Sequence, residues 1–209
     1  LARRNALLDE LRALAEAHPE DAAVREQLAM GLLNTLVWAK DEQELARRNG
    51  LLAELGALAE AHPEDGAVCE RLAMGLFNTL NHAKDEQDLA RRDRLLAELR
   101  GLADAHPEDA AVRENLAMGL FNTLVDAKDE QELARRNALL DELRALAEAH
   151  PEDAAVREQL AMGLAKTTHV AADEENPELD AVLRTELLAL AEAHRQDNWV
   201  EQFRSAGLL

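Results

Sequence analysis

A unit of 44 residues, with consensus LARRNxLLxELxxLAEAHPEDxAVxExLAMGLxNTLxxAKDEQE, begins at Leu1, Leu45, Leu89 and Leu133. Residues 1–32 and 133–164 are identical. A chain written this way cannot gather one central core. Each copy packs on its neighbours, and the copies stack into an array that presents a long surface rather than one pocket. Residues 1–176 hold four near-identical copies, and 177–209 read as a divergent fifth copy ending in a cap.

Each copy divides into two helices. In the second, Leu45, Leu51, Leu52, Leu55 and Leu58 keep one face at helical spacing. Asp41, followed by Glu44, has the character of a helix start. His62-Pro63 ends this helix, because proline disfavours helical geometry in the residue before it. Pro63-Glu64-Asp65 then opens the next helix, with proline in the first turn and acids at the positive end of the dipole. Val68, Leu72, Leu76 and Leu80 form its buried stripe, and Ala73 and Gly75 allow close approach. Lys84-Asp85 makes the following turn. After Leu164 the copy departs to AKTTHVAADEENPE. A shorter helix near 165–170 and a looser turn over 173–176 are expected, with Pro177 starting the next helix. Trp199, Val200 and Phe203 suit a C-terminal cap over the last apolar face.

Composition excludes several classes. Ala, Leu, Glu and Arg are strong helix formers and β-branched residues are scarce, which predicts an all-α chain. A net charge of −19 opposes nucleic acid and anionic membrane surfaces, and favours basic proteins or peptides. The single cysteine, Cys69, stands where other copies carry Arg25, Arg113 and Arg157. This position is expected at the surface, and no disulfide within the chain is possible. Cytoplasmic placement is the default. Arg (19) far outnumbers Lys (4), the compositional mark of a GC-rich, bacterial genome. The first residue is Leu and falls inside a repeat, so the chain is expected to be a piece of a longer protein, and the exposed flank of its first helix could drive end-to-end self-association. Neither a phosphate-binding glycine loop, nor a nucleophile elbow, nor zinc-type spacing occurs, so no enzyme, cofactor or metal is expected. The histidines before the prolines, His18 to His150, fit helix ends rather than a metal.

Measured from the proline, the unit resembles the tetratricopeptide repeat. Leu72, Ala73 and Leu76 stand nine, ten and thirteen residues after Pro63, and Leu58, Leu55 and Leu51 stand five, eight and twelve before it. These are the places of the family's packing residues. The family unit has about 34 residues. The extra residues here lie between Leu32 and Leu51, around the turn within the unit. The resemblance implies an α-solenoid of antiparallel helix pairs in a right-handed superhelix that binds a protein segment on its concave face. It does not extend to the carboxylate clamp of chaperone-binding members. At those offsets stand Glu26 and Met30, Glu70 and Met74, and Glu114 and Met118, which disfavour a C-terminal carboxylate.

Differences between copies point to candidate surface. On the Leu-rich helix, Ala6/Gly50/Arg94, Asp9/Ala53/Ala97 and Arg12/Gly56/Arg100 vary on an outward face and read as drift. On the helix after the proline, Val37/Asn81/Val125/His169 vary, and so do Gln27/Arg71/Asn115/Gln159 and Leu33/Phe77/Phe121/Ala165, the last two sets beside Glu26, Met30 and Asn34. By the family's geometry these face the groove. The candidate binding residues are therefore Glu26, Met30, Asn34, Glu70, Arg71, Met74, Phe77, Asn78, Glu114, Met118, Phe121 and Asn122. Met beside aromatic groups suits an adaptable binding surface, and equally suits filling between helices. Asn34, Asn78 and Asn122 either bond across to the neighbouring unit or hold a bound backbone. The alternative to a binding scaffold is a structural spacer or self-associating array without a ligand.

Overall fold

Leucines at helical spacing, separated by His-Pro breaks, give helices and little else. The computed structural model describes residues 2–39, 45–85, 89–127, 133–173 and 175–209. These contain ten helices: α1 (Ala2–Ala17), α2 (Ala22–Trp38), α3 (Leu45–Ala61), α4 (Gly66–Asp85), α5 (Leu89–Ala105), α6 (Ala110–Asp126), α7 (Leu133–Ala149), α8 (Ala154–Asp173), α9 (Pro177–Ala193) and α10 (Asn198–Ser205). No strand occurs among the described residues, and no helix among them is long and apolar enough to cross a membrane.

The chain forms two compact units, 1–116 and 117–209, divided inside α6. In the first unit each helix from α1 to α4 packs on the next, and α2 also packs directly on α4. In the second, α7 packs on α8 and α8 on α9. This is all-α, solenoid-type packing. The Leu-rich helices bury the predicted stripe, in α3 Leu51, Leu52, Leu55 and Ala59. Ala29, Ala73, Ala117 and Ala161, at one repeat position, have no exposed surface at all. Glycine two residues on permits the same approach. A Cβ on Gly75 would stand 3.3 Å from both Leu52 and Leu55, and one on Gly163 3.3 Å from both Leu140 and Leu143. Thr35, Thr79, Thr123 and Thr167 are buried nearby, and each donates its hydroxyl to the carbonyl four residues earlier at 2.7–2.8 Å.

Three local expectations need correction. The proline does not open the helix. It sits in the turn, and the aspartate two residues later is the cap. Asp21 accepts from the N–H groups of Ala23 and Val24, and Asp109 from those of Ala111 and Val112. A short carboxylate satisfies two orphan donors, worth ~1 kcal/mol. Asp41 and Glu44 lie outside the described residues. Next, α4 continues through Lys84 and Asp85 rather than turning there. Finally, α8 does not shorten. At 20 residues it outruns the 17 of α2. Ala, Lys and Thr sustain the helix, with Thr167 and Thr168 bonded back to Gly163 and Leu164. The turn falls immediately after, where Glu175 takes φ 54° and the Asn176 side chain accepts from the Leu179 N–H.

Trp199, Val200 and Phe203 of α10 are buried, with the two rings edge to face at 5.3 Å. At the other end Leu7 and Leu14 of α1 are 51% and 44% exposed, while Leu51, the counterpart of Leu7, is 5% exposed.

Candidate functional site

The predicted groove residues fall on the helices after the prolines. In the first unit, Glu26 and Met30 of α2 and Glu70, Arg71, Met74, Phe77 and Asn78 of α4 are half-buried, and Asn34 is exposed. Because α2 packs on α4, these two sets share a neighbouring pair of helices. Glu114, on α6, is exposed. In the second unit Met118, Phe121 and Asn122 are half-buried. The polar groups are already engaged locally. Arg71 donates to Glu70 at 2.9 Å and approaches the Met74 sulfur at 3.8 Å. Asn78 donates to the Met74 carbonyl at 2.7 Å. That bond lies within α4, so Asn78 uses its amide on its own helix.

Arg25, Arg113 and Arg157 are not surface residues. They are 9%, 6% and 5% exposed, and Arg25 and Arg157 sit at joints between copies. Arg25 donates to the Pro19 carbonyl of its own turn at 3.0 Å and to Asp65 of the next copy at 3.2 Å. Arg157 repeats this with the Pro151 carbonyl and, at 2.8 Å, Asp197. One aspartate oxygen caps a helix while the other receives the preceding copy's arginine, as Asp65 shows with Val68 and Arg25. The Leu-rich helices are bridged as well. Arg12 grips Glu54 through two bonds of 2.8 and 2.6 Å, and Arg144 grips Glu186 through two of 2.7 Å. These bonds hold both guanidinium groups more firmly protonated than usual, against the cost of their partial burial. Arg91 reaches Asn49 at 2.7 Å. Arg48, 1% exposed, donates to the carbonyl of Ala39 at the end of α2, where the helix dipole favours a cation. The paired arginines recur in the first four copies, and that recurrence was the signal for a buried role.

At Cys69 the joint changes. The thiol is too short to reach the next copy's aspartate. It lies 3.9 Å from the Pro63 carbonyl and 3.4 Å from Nε2 of His106. Burial, followed by the nearby carboxylates of Asp109, Asp65 and Glu64, pushes its pKa up. The thiolate is the reactive form, so a raised pKa and burial both slow attack. Iodoacetamide at neutral pH should therefore modify Cys69 at least about tenfold more slowly than it modifies glutathione. An equal rate, followed by mass spectrometry, would sink this assignment.

Between α3 and α5, over α4, lies a cleft of about 1060 Å³. Leu52, Leu72, Leu76 and Leu95 floor it, while Gly56, Arg94 and Glu98 stand on its rim. Gly56 and Arg94 belong to the outward-face positions expected to vary by drift. Here they meet at one place. Among the described residues no group of three or more His, Cys, Asp or Glu side chains is arranged to hold a metal ion. Comparison with models of known families, with curated proteins and with solved structures finds no match.

Proposed function

We propose that the chain is a tetratricopeptide-like scaffold that binds a segment of another protein along the helices following its prolines. The observation that carries this reading is the direct packing of α2 on α4. It sets Met30 beside the Met74 and Phe77 helix, half-buried and flanked by Glu26 and Glu70. Soft apolar side chains between acids suit a basic, apolar segment, and the chain's charge of −19 favours its approach.

The test is to pan a random-peptide display library on the immobilised protein and to measure the enriched peptides against Phe77→Ala/Phe121→Ala. Their affinity should fall about tenfold or more, ~1.4 kcal/mol, while circular dichroism stays helical. Unchanged affinity, or a failure to enrich any sequence, would leave the chain a structural spacer.

A further inference from the structure

Among the junctions described within a unit, the one between the second and third copies lacks two arginines. Gly56 stands where the first and fourth copies have Arg12 and Arg144, and Cys69 where they have Arg25 and Arg157. At the other junctions these arginines cross to the next copy. Arg12 takes Glu54, and Arg144 takes Glu186, each by a two-pronged contact. The corresponding acid, Glu98, is kept, but it faces a residue with no side chain. Its exposure records the difference. Glu54 and Glu186 are half-buried, whereas Glu98 is exposed.

The place filled by guanidinium elsewhere is open here. A Cβ built on Gly56, or on Gly101 across the cleft, would meet nothing within 4 Å. The cleft of about 1060 Å³ matches the upper end of the ~300–1,000 Å³ typical of ligand sites. It is far larger than one guanidinium, and its floor is leucine. Of the cations nearby, Arg91 is bonded to Asn49, and Arg94 lies one helical turn before Glu98.

We infer that this cleft binds an apolar peptide segment of a partner protein carrying one arginine, whose guanidinium takes Glu98 as Arg12 takes Glu54. The leucine floor supplies the contact area, and the two-pronged carboxylate supplies selectivity for arginine over an uncharged side chain of the same shape. The face is that of the Leu-rich helices, distinct from the one proposed above to bind a segment on α2 and α4.

Anisotropy of an end-blocked, fluorescein-labelled peptide Ala-Leu-Leu-Arg-Leu-Ala, and of its citrulline counterpart, tests the inference on the full chain. The arginine peptide should bind at least about tenfold more tightly than the citrulline one. Gly56→Arg restores the residue found in the other copies, so it keeps the helix and fills the cleft. It should weaken the arginine peptide at least about tenfold. Glu98→Gln should abolish the preference for arginine, and Phe77→Ala, measured beside it, reports on the separate face of α2 and α4. Equal binding of the two peptides, no binding of either, or undiminished binding by Gly56→Arg would overturn the inference. A loss confined to Phe77→Ala would also overturn it, placing the peptide on α4 instead.

Discussion

Asp197→Ala is expected to release the C-terminal helix. The Asp197 carboxylate accepts from Arg157 at 2.8 Å and from the indole N–H of Trp199 at 3.2 Å. Both charged side chains of the pair are only 7% exposed. Removing one partner leaves a guanidinium buried without its counter-charge, which costs about 3–5 kcal/mol. The same change removes the acceptor of the Trp199 indole N–H, whose ring packs edge to face with Phe203. Amides of residues 198–205 should exchange with solvent roughly a hundred- to several-thousand-fold faster, at 1.4 kcal/mol per decade, while α7 stays protected. Asp180→Ala is the control. It removes a pair with Arg184, which is 57% exposed on its side chain, within one helix, and should shift stability by less than about 0.5 kcal/mol. Similar exchange in the two variants would refute the buried-clip account.

Leu51→Ala and Leu7→Ala should differ sharply, although both change one residue type at one repeat position. Leu51 is 5% exposed and Leu7 51%. The first substitution removes buried methyl groups and leaves a cavity, at about 2–5 kcal/mol. The second removes groups already half in water and should cost less than about 1 kcal/mol. Urea denaturation followed by circular dichroism reads both. If Leu7→Ala proves as costly as Leu51→Ala, the outer face of α1 is covered in solution. A concentration-dependent mass in light scattering would then identify the cover as a second copy meeting end to end.

Much of the fold was legible because its determinants are local. Leucine spacing and the His-Pro breaks placed the helix pairs, and the lack of variation at Ala73 and Gly75 marked the close contact with Leu52 and Leu55. The burial of Trp199 and Phe203 was readable because a short apolar cluster follows the last repeat. The start of the helix after each His-Pro break was placed at the proline, too early, because proline's backbone preference and aspartate's acceptor act within two residues of each other. Burial of Arg25 was hidden for another reason. Its carboxylate partner is 40 residues away, in the next copy, and only packing brings them together. The cleft was hidden in the same way. Gly56, Cys69 and Gly101 look like unrelated drift along the sequence, yet all three border one space. Helical periodicity reports which face a residue occupies and not what the neighbouring copy places opposite it.

The arginine clips also bear on how such an array comes apart. In a linear array, stability is close to a sum of the copies' own terms and the coupling between nearest neighbours. The first junction carries Arg12–Glu54 and Arg25–Asp65, and the fourth Arg144–Glu186 and Arg157–Asp197. The second junction has Gly56 and Cys69 in their place. Without these two ion pairs, a boundary between folded and unfolded copies is expected to settle there more cheaply than at either of the others. On heating, the first two copies are expected to part from the third before they part from each other.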